Sequence, residues 1–116
     1  MKQFAAEYDL VVLDCPPTAS LLSESVCQAA DLVLVPVIPT TLCYRTYTQL
    51  MEMYAQKGWK IGRLRPFFSM VQADNTHHAE LLQAMRSEFP NLLKAIIPYS
   101  CEIEQMGVRR EPVFCY

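Results

Sequence analysis

Four short apolar runs, none alternating regularly with polar residues, constrain this chain more than any other feature. They are Leu10 to Leu13, Leu32 to Val35, Phe67 to Val71 and Leu92 to Ile97. Runs of this length without polar alternation suit strands covered on both faces, as in parallel sheets. Between them the period changes to that of a helix. Leu22, Val26 and Ala29/Ala30 form one stripe, with Ser20 and Ser23 as candidate N-caps. Tyr47, Leu50, Met51 and Tyr54 form a second, which Gly58 ends. Leu81/Leu82, Met85 and Phe89 form a third, with Asn75 or Thr76 as cap and Pro90 as stop. A last short helix is expected from Cys101 to Met106, ended by Gly107. Pro66 marks an edge strand or a strand beginning. The order βαβαβαβ plus a short helix predicts an α/β fold. Its architecture is a three-layer, mostly parallel sheet flanked by helices.

With 116 residues and 52% hydrophobic content, a single α/β domain over residues 1–116 is expected. The net charge of −2 gives no global argument for nucleic acid or an acidic surface. No apolar stretch reaches the roughly 18 residues of a membrane span, and the N-terminus lacks a signal peptide's apolar centre. Five scattered cysteines without a CxxC pair fit reduced thiols, so a cytoplasmic protein without membrane partners is expected.

In such a sheet, ligands gather beyond the carboxyl ends of the strands. Those ends are Asp14-Cys15-Pro16-Pro17, Pro36 to Pro39, Gln72-Ala73-Asp74 and Pro98-Tyr99-Ser100. Asp14 has two readings. It caps the following turn, or it is a carboxylate that holds a magnesium-bound water near phosphates. Pro16 and Pro17 favour the second, because they stiffen the backbone just past the acid.

YDLVVLDCPP followed by AADLVLVPVIPT resembles the ParA/MinD family of deviant P-loop ATPases, which carry YDxxxxDxPP and AADxxxxPV segments. IIPYSCEIEQMGVRREPV is similar to the family's terminal part, and the likeness runs over about residues 7 to 114. Ser69-Met70-Val71 and His78-Ala79-Glu80-Leu81 resemble the strand and helix of ParA-like partitioning ATPases. The resemblance implies a partial P-loop NTPase fold and Mg-ATP as the family's cofactor. It implies that Asp14 holds magnesium through water and that Cys15, Pro16 and Pro17 form a switch-like loop. It also places Asp74, Pro98, Tyr99 and Ser100 beside the adenine.

The family's glycine-rich loop, GxxxxGK followed by Ser or Thr, cradles phosphates with backbone N–H groups. The three glycines here, Gly58, Gly62 and Gly107, form no such loop, and KGWKIG has the letters in the wrong order. An acid facing a triphosphate without that cradle is repulsive. The chain is therefore expected to be a family C-terminal half that neither binds ATP tightly nor hydrolyses it alone, with no catalytic residue of its own. Strands deprived of a neighbour recruit partners. A homo-oligomer, or a complex with a full-length relative, is expected. The rival expectation is a non-catalytic interaction module derived from the same fold.

Other residues weigh less. Lys57, Lys60, Arg63 and Arg65 form the densest basic stretch; a solvated helix end is the favoured reading over a DNA-binding patch. His77 and His78 are adjacent and lack the i, i+4 spacing and further ligands of a metal site. Glu102 and Glu104 are expected to be solvated, and no nucleophile context surrounds Ser20 or Ser23.

Overall fold

The computed structural model describes residues 6–15 and 21–116, with the side chains of 21–23 left aside. Its contacts divide the chain into two compact units, Met1–Asp31 and Leu32–Tyr116.

In the first unit, residues 10–15 carry neither helix nor strand, so the expected strand from Leu10 to Leu13 is not formed. A strand exists through its ladder, and no described strand pairs with this run. Its side chains are exposed, Leu10 and Val12 by 79% each. Helix α1 follows at Leu21–Ala29, with Glu24 in the first turn where the helix dipole favours an acid. Ser23 lies inside α1, and Ser20, Pro16 and Pro17 lie outside the described residues.

The second unit contains the parallel sheet. Strands β1 (Val33–Val37), β2 (Leu64–Val71) and β3 (Ile96–Pro98) lie in the order β1-β2-β3, joined by helices α2 (Thr41–Gln56) and α3 (Thr76–Glu88). Helix α4 (Cys101–Arg109) follows β3. The chain is thus the α/β, parallel, helix-interleaved fold that the alternating periodicities predict.

Register separates the faces of the sheet. Val33, Val35 and Val37 lie opposite Leu64, Pro66 and Phe68. Those three β2 residues are buried, whereas Leu34 is 58% exposed. On the buried face Val37 and Phe68 meet Tyr47 of α2 and Met85 of α3, with Phe89 just beyond α3. The Tyr47 and Phe89 rings meet edge to face at 5.0 Å, a geometry their quadrupoles favour.

Pro66 departs from the sequence reading, which places it at an edge or a strand beginning. It is the third residue of the central strand, paired with Val35. Its carbonyl accepts from Leu93 N–H at 2.8 Å, in the stretch leading to β3. The ladder to β3 begins only at Phe68, so the N–H that proline lacks faces a side where no strand runs. The fourth apolar run likewise shortens. Only Ile96 and Ile97 of it enter β3, while Leu92 packs on the core.

Helix ends follow local chemistry. Beyond α2, Gly58 takes φ +66°, its N–H bonds to Ala55 O, and Trp59 N–H bonds to Tyr54 O. That pair of bonds is a Schellman cap, which requires a left-handed residue at Gly58. Gly107, expected to end the last helix, instead sits within α4. The left-handed position falls on Arg110, φ 55°, whose N–H bonds to Met106 O. Glycine without the returning bonds does not terminate a helix by itself.

Candidate functional site at the carboxyl rim

Parallel strands put all their carboxyl ends on one edge, and here each end leads directly into a capped helix. After β1 comes buried Pro39 and then Thr40, whose hydroxyl accepts from Cys43 N–H at 3.3 Å. After β2 comes the turn Gln72–Asn75, closed by Asn75 N–H donating to Gln72 O at 3.2 Å. The Asn75 side-chain oxygen accepts from the N–H groups of His77 and His78, at 3.1 and 3.3 Å. After β3 comes Ser100, whose hydroxyl accepts from Glu102 N–H at 3.2 Å. The N-termini of α2, α3 and α4 thus share one edge, where their dipoles favour negative charge.

Four of the predicted site residues belong to this rim. Pro98 lies opposite Val71, and Tyr99 N–H donates to Val71 O at 2.9 Å. Asp74 is exposed in the turn three residues beyond Val71, so the acid and the Pro98-Tyr99-Ser100 stretch lie on the same edge. The Tyr99 hydroxyl and Cys101 sulfur are hydrogen-bonded at 3.8 Å. That bond, with the charges of Cys101 and Glu104, holds the phenol above its ordinary value. Ser100 is engaged first as a helix cap, a role its spacing from Glu102 makes legible in hindsight.

Asp14 belongs to the other unit. It is exposed, on a segment without regular structure, and Cys15 Sγ donates to Leu13 O at 3.7 Å. It is therefore not at a strand tip, as the sequence reading has it. Pro16 and Pro17, the prolines expected to act with it, lie outside the described residues.

The structure gives a contact to a residue that the sequence reading notes only within a motif and as a discounted metal ligand. The adjacent histidines part company: His77 is exposed and 4.0 Å from Glu80, whereas His78 is 7% exposed. His78 Nδ1 accepts from Gln72 N–H at 3.2 Å. With that bond Nδ1 serves as an acceptor, which leaves Nε2 as the ring's donor nitrogen. Met70, just upstream, takes φ 55°. Between the pairs Phe68↔Ile96 and Val71↔Pro98, β2 holds one residue more than β3, which makes this a β-bulge. Methionine gives no sequence signal for a left-handed residue.

The basic stretch lies at the other end of the sheet, between the C-terminus of α2 and the start of β2. Lys57 Nζ sits 5.2 Å from the Trp59 ring centroid, and the Arg65 guanidinium donates to the carbonyls of Gly62 and Leu64. Such local contacts suit a folded turn as well as any ligand.

Comparison with known proteins places this geometry in a family. The AAA domain model matches residues 1–59. The cell division protein PomZ of Myxococcus xanthus is 29% identical over 98% of this chain and 37% of its own length. The chromosome partitioning protein ParA of Caulobacter vibrioides is 26% identical over 94% of this chain and 43% of its own. ParA of Myxococcus xanthus is 46% identical over a shorter stretch, 32% of this chain and 13% of its own. The chain thus spans about two fifths of the PomZ and Caulobacter ParA relatives it matches along nearly all its length. With half of its residues matched by that model and an α/β sheet of the expected kind, the chain belongs to the AAA domain family, related to ParA and PomZ.

Proposed function

We propose that this chain is the carboxyl-terminal portion of an ATPase that partitions or positions DNA or other cargo in the cytoplasm. The observation that carries the reading is the likeness to PomZ and ParA over 98% and 94% of the chain, against 37% and 43% of theirs. The complete protein would bind Mg-ATP. Asp14 would hold magnesium through a water, and Pro16 and Pro17 would stiffen the loop beside it. Asp74, Pro98, Tyr99 and Ser100 would line the base. Magnesium would supply charge neutralisation at the phosphates. The sequence contains no glycine-rich phosphate loop, so the chain by itself is inactive in this reading.

Calorimetric titration with Mg-ATP and a phosphate-release assay test this directly. Neither micromolar binding nor turnover is expected from the chain alone. A magnesium-dependent ATPase rate that disappears in Asp14→Ala would overturn the inactivity.

A second reading rests on a separate observation. In the second unit Leu34 of β1, an edge strand among the described residues, is exposed, and so is Leu32 just before it; in the first unit Leu10 to Leu13 are exposed as well. Apolar side chains on an unpaired edge suit assembly with a second copy or a full-length relative. Light scattering distinguishes the readings: a monomer at micromolar concentration removes the oligomerisation module and leaves the ATPase portion standing.

A further inference from the structure

The imidazole of His78 is buried at 7% exposure, and the rim chemistry above does not use it. We propose that His78 is a positioning residue. Its Nδ1 pins the β2–α3 turn, and so fixes how the rim presents Asp74 and Tyr99.

Three observations converge on this. His78 Nδ1 accepts the backbone N–H of Gln72, the first residue past β2. The same turn is closed by Asn75 N–H on Gln72 O, and Asn75 in turn caps the N–H groups of His77 and His78. Immediately before it, the Met70 bulge bends β2 out of register with β3. A bulge with a left-handed residue is locally strained and persists only where its surroundings hold it. On the other side of Val71, Tyr99 N–H holds the start of the last rim segment. Without an acceptor at Nδ1, the part-buried Gln72 N–H loses its side-chain partner and turns to water instead. The turn would then move as a unit, carrying Asp74 with it.

The claim that this turn faces a nucleotide base rests on the function proposed above; the pinning itself does not. The test therefore has two arms. In the ¹⁵N-labelled chain, a long-range ¹H–¹⁵N spectrum should show His78 protonated on Nε2 alone. In His78→Phe, which keeps an aromatic ring and loses the acceptor, Gln72 amide exchange should quicken about tenfold, the loss of one hydrogen bond. Shifts should be confined to residues 70–75 and 98–100. His78→Asn, which returns an acceptor near the same place, should restore protection. Protection of Gln72 unchanged in His78→Phe, or not recovered in His78→Asn, overturns the proposal. Should His78→Phe fail to fold, the same exchange measurement on His78→Leu decides, and a proton found on Nδ1 of the unsubstituted protein overturns the proposal alone. In the second arm, millimolar adenosine should shift Asp74 and Tyr99 in the unsubstituted chain and in His78→Asn, but not in His78→Phe. No adenosine shift in any protein would count against the nucleotide rim, while Gln72 exchange still decides the role of His78.

Discussion

Trp59 stands edge-on against Tyr54, with ring centroids 5.2 Å apart and planes at 87°. The contact exists because Gly58 turns the chain left-handed between them and lets Trp59 N–H return to Tyr54 O. Nothing lies within 4 Å of a Cβ built on Gly58, so only its φ of +66° resists substitution. Gly58→Ala is therefore expected to destabilise the fold by about 1 kcal/mol. Urea unfolding followed by the fluorescence of Trp59, the single tryptophan, measures it directly.

Gly107 is the opposite case. It sits within α4 at an ordinary helical φ, and a Cβ there meets nothing within 4 Å. Gly107→Ala should stabilise α4 by roughly 0.5–1 kcal/mol through helix propensity and a less flexible unfolded chain. The helical circular dichroism signal should melt at a higher temperature. A lower melting temperature would mean that residues 101–109 are not helical in solution.

Asn91 ties the core together from a loop. Its Nδ2 donates to the Tyr47 hydroxyl at 3.1 Å and to Leu64 O at 3.0 Å. Replacing it with Leu removes both bonds and leaves the Leu64 carbonyl without that donor in a buried setting. A loss of about 1–3 kcal/mol is expected. Tyr47→Phe should cost less, and the double variant should fall short of the sum of the two, because one bond is shared.

Alkaline pH should act through tyrosine. Burial pushes the Tyr47 phenol above its ordinary value of 10.0, outweighing the Asn91 bond and the Arg65 charge, which lower it. The neutral phenol is thus favoured in the folded state. Its contribution is whole below pH 10.0 and is lost as pH rises through the folded-state value. Tyr44 shifts the same way, chiefly because its hydroxyl donates to Glu88 at 2.8 Å. Denaturation midpoints should therefore fall above pH 10.0, and fall less steeply in Tyr47→Phe. Equal slopes in the two proteins would remove Tyr47 as a source of the effect.

What could be read in the sequence was what local spacing dictates. Tyr47, Leu50, Met51 and Tyr54 recur at helical intervals because one side of α2 packs on the sheet, and Tyr47 and Tyr54 are buried there. Asn75 is legible as a cap because a short side-chain oxygen before a helix has little better to do. Leu10 to Leu13 misled because a strand's existence depends on a partner that no local pattern contains. Pro66 misled because its cost depends on which neighbour its missing N–H would have faced. Met70 and His78 stand in recognisable segments, yet their conformation and contact were not legible, for a related reason. One is a backbone geometry that methionine does not advertise, and the other is a hydrogen bond to an amide six residues earlier.

The bulge at Met70 also bears on how the molecule comes apart. Beside it β3 is only three residues long, with Ile96 and Ile97 exposed by 41% and 42%. The whole tail from residue 96 onward, α4 included, hangs on that brief seam. Breathing of the native protein should begin there, well before the Tyr47–Phe89 nucleus yields. A protease that nicks this chain under native conditions should find its first accessible bonds in that last fifth.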